Sequence, residues 1–287
     1  MHEERYDRQI IAFGKEGQAK IEALHVGIVG LGGIGSQVAQ GLAYLGVRSF
    51  TLVDDDRVEE TNLNRLIGGF PVDAEVRELK VQVAERMIRS VQPQSKILAL
   101  SENLRSREAI DALTKCPIIF GCVDHDGARL VLMEVAAAYE ATLIDSATEI
   151  LRDGIQITEF GGRVVVARPG DFCLDCAHQI DMEAAKQELE SDEVRELRAQ
   201  HGYGLGTDGR APSVVSLNGV IANLAINEFL VMVTNIREPK RHLVYYGLRG
   251  RLNERDDSKR PDCYTCGYLV GKRDRAGLDR YIVPSTK

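Results

Sequence analysis

The chain is 287 residues long, 44% hydrophobic, and carries a formal net charge of -7. That length buries one large core, or one core with an appended subdomain, and the acidic balance argues against general attraction to nucleic acid or an anionic membrane. The N-terminus, Met1-His2-Glu3-Glu4-Arg5, lacks signal-peptide order and no apolar run reads as long enough to cross a bilayer, so the expected compartment is the cytoplasm.

Residues 1 to about 24 read as a polar helical arm containing Arg5-Tyr6-Asp7-Arg8-Gln9. Strand-like runs follow at 25–30, 49–54, 96–100, 117–121 and 142–145, alternating with helical patterns at 34–46, 75–91, 106–114 and 127–140. This alternation requires crossovers and predicts an α/β, Rossmann-like, mostly parallel sheet with flanking helices. From about 154 the rhythm changes to an antiparallel portion. Ile155 to Phe160, a turn at Gly161-Gly162, and Val164 to Ala167 read as a hairpin. A charged helix is expected at roughly 181–200, with Glu183 to Arg198 as its charged run; a solvated face or a partner-docking lid would both explain it. The glycine-rich loop 201–210 is a lid or a connector, and an apolar helix at about 213–235 is expected to be buried. A strand at 242–247 and a cysteine-bearing turn complete the chain. The whole of 1–287 reads as one unit: arm 1–24, nucleotide-binding half 25–153, and a second half 154–287.

The most informative run is Val26 to Ser36. Gly30, Gly32 and Gly35 have the G-x-G-x-x-G spacing that turns a strand into a helix while the backbone approaches a phosphate. Asp54, opening the acidic run Asp54-Asp55-Asp56, stands at a strand end where it can accept from ribose hydroxyls. By itself the pattern suits an NAD-dependent oxidoreductase. The charges beyond it do not, because hydride transfer needs neither Arg65 nor Lys80, whereas two cations at strand ends suit a triphosphate. Asp124, after another strand, can hold Mg²⁺.

Cys173-x-x-Cys176 and Cys263-x-x-Cys266 are two pairs suited to tetrahedral zinc with no open position, and therefore to a structural role. A thiol–disulfide pair is the alternative. Cys116 and Cys122 read as small core hydrophobes.

Across nearly its whole length the chain resembles the ThiF/HesA/MoeB group of the ubiquitin-activating-enzyme superfamily. The resemblance rests on R-Y-x-R-Q at 5–9, G-x-G-G-x-G at 30–35, Asp54, N-x-x-R at 62–65, Lys80, Gly121-Cys122-Val123-Asp124 and both cysteine pairs. It implies an ATP- and Mg²⁺-dependent adenylyltransferase acting on the Gly-Gly-type C-terminus of a ubiquitin-like or sulfur-carrier protein, or on a peptide. It further implies that Gly30, Gly32, Gly33 and Gly35 approach the phosphates, and that Asp54 and Asp56 lie in the nucleotide site. Asn62, Arg65 and Lys80 would contact phosphate, Asp124 would anchor Mg²⁺, and Arg8 would reach the nucleotide of a neighbouring subunit in a homodimer. Two departures stand out. Residues 199–213 hold no cysteine for a thioester or persulfide, and His125 follows Asp124 where the group often has Asn. A tRNA-modifying carboxylate adenylase and a nucleotide-binding regulatory protein without turnover are the competing expectations.

Overall fold

Short apolar runs at 25–29, 49–53 and 118–121 form central strands buried on both faces, as a sheet covered by helices requires. The computed structural model describes residues 2–190 and 212–283. Among these, the strands are β1 (His25–Val29), β2 (Ser49–Val53), β3 (Lys96–Leu100), β4 (Ile118–Gly121), β5 (Thr142–Asp153), β6 (Gln156–Ala167), β7 (His242–Tyr246) and β8 (Arg251–Glu254). The helices are α1 (His2–Ala23), α2 (Gly35–Leu45), α3 (Pro71–Glu75), α4 (Lys80–Val91), α5 (Arg107–Leu113), α6 (Asp126–Ala138), α7 (Met182–Glu188) and α8 (Val215–Val233).

The eight strands make one sheet in the order β3-β2-β1-β4-β5-β6-β7-β8. From β3 through β5 the pairing is parallel, and from β5 through β8 it is antiparallel. Chain order reverses direction between β1 and β4, which opens a crevice at their carboxyl ends. One core, on one face, joins α2, α4 and α8 to the sheet through Val38, Leu42, Ile88, Ile221 and Phe229. The second packs α5, α6 and the cysteine region against the other face through Leu113, Leu132, Met133 and Phe172.

Several expectations are corrected. The hairpin does not turn at Gly161-Gly162: β6 runs unbroken through both residues and the turn lies at Gly154-Ile155. These glycines mark close approach within the sheet; a Cβ on Gly162 would lie 2.5 Å from the Ala147 carbonyl oxygen and 2.7 Å from Ile221 Cγ1. The expected helix 75–91 starts only at Lys80. Residues 77–79 instead pair with 56–58: Val58 N–H donates to Glu78 O at 2.8 Å, Lys80 N–H donates to Asp56 O at 3.1 Å, and Arg77 sits at φ 51°. Strand β8 has no counterpart in the expectations, since its exposed, polar residues carry no apolar signal. Arm α1 is kinked at Phe13 and Gly14.

At 19 residues and a mean hydropathy of 1.5, α8 is long and apolar enough to cross a membrane, contrary to the expectation that no such run exists. In the fold it is a core helix, with Ile221, Ala222, Ala225 and Phe229 buried against the sheet and α2. Of the charged helix 181–200, Met182–Glu188 is helical, with Asp181 as its N-cap and Leu189 as its C-cap; residues 191–200, and the glycine-rich loop 201–210, lie outside the described residues.

Candidate functional site

The crevice is built around the turn after β1. Gly30 takes φ 81°, and its N–H donates to Val53 O on the neighbouring strand at 3.0 Å. A Cβ on Gly35 would lie 1.8 Å from Gly30 O, and one on Gly30 would lie 2.6 Å from Cys122 O, so neither position tolerates a side chain. A Cβ on Gly33 would strike Asn218 Nδ2 at 2.2 Å and approach Arg65 Cδ at 3.4 Å, whereas one on Gly32 would meet nothing within 4 Å. Gly32 therefore faces open space, while its neighbour Gly33 is covered by Asn218 and Arg65. The N-cap of α2, Ile34, offers no side-chain cap; Ser36 N–H is taken by Gly32 O at 3.0 Å, so an anion at this helix start would have to bind the amides that precede it.

At the end of β2, both Asp54 oxygens accept backbone N–H groups: Oδ2 from Leu31 at 2.6 Å and Oδ1 from Asp56 at 2.9 Å. Burial raises its pKa above the ordinary carboxylate value, while the Lys80 charge and these hydrogen bonds oppose that shift. The remaining lone pairs can accept hydroxyls. Lys80, in the first turn of α4, points its Nζ back to Asp56 Oδ2 at 2.6 Å; its side chain is 11% exposed and that of Asp56 68%. Asp55 accepts from Asn103 Nδ2 at 3.0 Å.

The loop after Asp56 carries Asn62 and Arg65. Asn62 Oδ1 accepts from Glu59 N–H at 3.0 Å and shapes a short 3-10 turn, Glu60–Asn62. Arg65 donates to Thr61 O at 2.5 Å and to Asn64 Oδ1 at 3.1 Å, and Ile67 N–H ties the loop to Ser36 Oγ at 3.1 Å. Asp124 follows β4 and is 92% exposed at the crevice edge.

Arg8 is not brought to this crevice. The arm carrying it docks where α2 and α4 end: Arg5 donates to Val91 O, Gln9 to Tyr44 O, Gln18 to Leu45 O, and Gln92 to the Tyr6 hydroxyl. Both helices begin at the crevice, and α2 alone, at 11 residues, separates its two ends by about 16 Å. Arg8 is exposed there.

Two polar groups escaped the sequence reading. Asn218, 1% exposed on α8, accepts from Thr148 Oγ1 at 3.2 Å and donates to Ser213 Oγ at 3.0 Å. Asp145, fully buried on β5, pairs with Arg163, and Arg129 Nε lies 3.9 Å from it. A polar residue at an inward position of an apolar run was the available signal in both cases. Burial first, and the Asp145 carboxylate second, push the Cys122 thiol pKa well up, which disfavours the thiolate a nucleophile needs.

The four cysteines of the two C-x-x-C pairs are all buried, with sulfurs within 4.8 Å of one another. Cys173 Sγ lies 3.5 Å from Cys263 Sγ, and Cys176 Sγ lies 3.9 Å from Cys266 Sγ. Tetrahedral metal–sulfur bonds of about 2.3 Å place sulfurs about 3.8 Å apart, so the donor set fits a metal site. Arg260 N–H donates to Cys176 Sγ at 3.4 Å and Cys266 N–H to Cys263 Sγ at 3.5 Å, which supports thiolate charge.

A match to the ThiF family covers residues 6–265, passing through the glycine turn, Asp54, Lys80, Asp124 and the first cysteine pair and ending one residue short of Cys266. The chain belongs to the ThiF family. It is 28% identical over 267 residues to the molybdopterin-synthase adenylyltransferase of Escherichia coli (strain K12), covering 92% of this chain and 96% of that protein. It is 35% identical over 152 residues to the adenylyltransferase and sulfurtransferase uba4 of Emericella nidulans, covering 52% of this chain and 31% of that protein. The chain thus spans about a third of the length of the uba4 proteins it matches. In solved structures the ThiF-family fold recurs in Escherichia coli MccB with ATP, at TM-score 0.71 and 18% identity over 92% of this chain and 74% of that one.

Proposed function

We propose that this ThiF-family protein is an ATP- and Mg²⁺-dependent adenylyltransferase. It joins AMP to the C-terminal carboxylate of a ubiquitin-like or sulfur-carrier protein ending in a Gly-Gly-type tail, or of a short peptide, and releases pyrophosphate. The observation that carries the reading is the gathering of Arg65, Lys80 and Asp124 with Asp54 around an open glycine turn at the sheet's switch point. Hydride transfer to or from NAD has no use for those charges.

In the reaction, a carboxylate oxygen of the tail attacks the α-phosphorus, an acyl–phosphate bond forms, and the bond to the bridging oxygen breaks as pyrophosphate takes the electron pair. The tail is already ionised at neutral pH, so no general base is needed. Gly30, Gly32, Gly33 and Gly35 let the backbone amides approach phosphate, and Asp54 accepts the ribose hydroxyls. Asn62, Arg65 and Lys80 contact phosphate, with Arg65 and Lys80 balancing charge that builds on leaving; such preorganised charge is commonly the largest catalytic contribution. Asp56 keeps Lys80 aimed at the crevice before nucleotide arrives. Asp124 would hold Mg²⁺, which supplies further neutralisation of the phosphates when bound.

The four cysteines are best read as a structural zinc site, since four thiolates leave the metal no open position. Arg8 would act across a homodimer, because its own chain carries it away from its own crevice. Nothing between 199 and 213 can form a thioester, so the acyl-adenylate is the product handed on.

ATP–pyrophosphate exchange with Mg²⁺, against small proteins and peptides with Gly-Gly or other short tails, tests this. Exchange that disappears on truncating one tail is the expected result. Bound ATP without exchange on any protein or peptide tail would overturn it in favour of a tRNA acceptor or a regulatory protein.

A further inference from the structure

His125 occupies the N-cap of α6 with extended backbone (φ -109°, ψ 140°), yet its side chain makes no cap hydrogen bond. Asn, Asp, Ser or Thr would do so from that position. The missing acceptor comes from another element: Glu188, the last residue of α7, takes the Gly127 N–H on Oε2 at 2.6 Å. The imidazole is thereby free of the task its position normally performs. It stands between two carboxylates, with Nδ1 3.6 Å from Glu188 Oε1 and Nε2 3.7 Å from Asp124 Oδ1. His125 and Asp124 are 71% and 92% exposed, and Glu188 27%, so the first two are open to solvent at the carboxyl end of β4 and the glutamate backs the imidazole. Arg129 pins the loop on both sides, donating to Val123 O at 3.0 Å and to Asp126 Oδ1 at 2.8 Å.

We propose that His125 is a second protein ligand, beside Asp124, for the divalent ion that accompanies the nucleotide, and that the site accordingly takes a first-row transition ion such as Mn²⁺ in preference to Mg²⁺. The proposal rests on the adenylation reading above. Glu188 stands on the Nδ1 side of the ring at 3.6 Å; drawn in to hydrogen-bond distance when a metal binds on the Asp124 side, it would fix the Nδ1–H tautomer and leave the Nε2 lone pair for the ion. Two ligand atoms on one octahedral ion with bonds of about 2.1 Å stand about 3 Å apart, and small rotations of two exposed side chains close the present gap. An imidazole nitrogen in an otherwise oxygen-donor site favours transition ions, whereas Mg²⁺ holds to oxygen donors and water.

The test is pulsed EPR on the full chain with Mn²⁺ and a non-hydrolysable ATP analogue, alongside dissociation constants for the Mn²⁺ and Mg²⁺ complexes. Wild type should show nitrogen-14 modulation from a coordinated imidazole. His125→Asn should lose it and narrow the Mn²⁺-over-Mg²⁺ preference about tenfold, with an unchanged unfolding midpoint. Glu188→Gln should keep the modulation and weaken Mn²⁺ binding severalfold. Nucleotide–Mn²⁺ binding without modulation, or modulation that survives His125→Asn, overturns the role of His125 and leaves the adenylation reading standing. No binding of the nucleotide complex by wild type overturns both.

Discussion

At Lys80, a cation with only 11% of its side chain exposed is held by an aspartate that is mostly in water. An exposed carboxylate can swing aside when phosphate arrives, so the pair stores the lysine in position without burying a charge permanently. Lys80→Ala and Arg65→Ala should each lower pyrophosphate exchange by about 10²–10³-fold with the unfolding midpoint little changed, while Asp56→Ala should cost far less. His242 is a separate, structural case. It is 1% exposed and hydrogen-bonded through Nδ1 to Asp257; burial lowers its pKa below 6.5, although Asp257 opposes the shift. A histidine whose folded pKa is depressed contributes full stability above its unfolded pKa and loses it as pH falls through that value towards the folded one. Between about pH 7.5 and about pH 5.5 the unfolding midpoint should therefore drop, and His242→Gln should flatten that drop. Lys80 and Arg65 were legible because their order after the glycine turn is distinctive. Asp56 was legible only as an acid near a nucleotide; that its partner is Lys80 depends on the bridge between 56–58 and 77–79.

Among the elements, β6 shows how one residue type supports opposite readings. A Gly-Gly pair between two apolar runs looks like a turn, but Gly161 and Gly162 are glycines because neighbouring backbone and α8 press against them. Gly162→Val should accordingly destabilise the protein by about 2 kcal/mol or more, measurable in denaturant unfolding, since neither Ala147 O nor Ile221 can retreat without disturbing the sheet. A turn at those residues would predict a near-neutral effect. Helix α4 illustrates the converse: the apolar spacing from Lys80 onward is strongly amphipathic and was read correctly, but its start was set by strand-like pairing of residues 77–79. Helix α7 settles part of the choice for the charged run. Its last residue, Glu188, caps α6 beside Asp124, so this stretch is attached to the crevice rather than simply solvated.

For the whole molecule, the arm bears on the proposed homodimer and the cysteine cluster on how the chain is held together. With Arg8 displaced to the far ends of α2 and α4, mixing inactive Arg8→Ala and Lys80→Ala proteins should restore about a quarter of wild-type exchange through one intact site per mixed dimer. No recovery, with a monomer in sedimentation, would remove Arg8 from the reaction. The cysteines tie residues 173–176 to 263–266 across 90 positions of chain. Metal analysis should find about one zinc per chain, and chelation should lower the unfolding midpoint sharply, because metal binding free energy is then folding free energy. A folded, metal-free protein with the same midpoint would show that the cluster is held by packing alone.

The amino-acid sequence alone determined the α/β alternation, the glycine turn, the order of Asp54, Asn62, Arg65, Lys80 and Asp124, and the two cysteine pairs, because each is a local pattern whose spacing carries its chemistry. Tertiary structure decided what no local pattern encodes. It set the partners of Lys80 and His125, the buried Asp145–Arg163 pair, and Asn218 over Gly33. It also placed Arg8 away from its own crevice. These are contacts between residues tens of positions apart, and their energies depend on desolvation and close approach that exist only after the sheet has assembled.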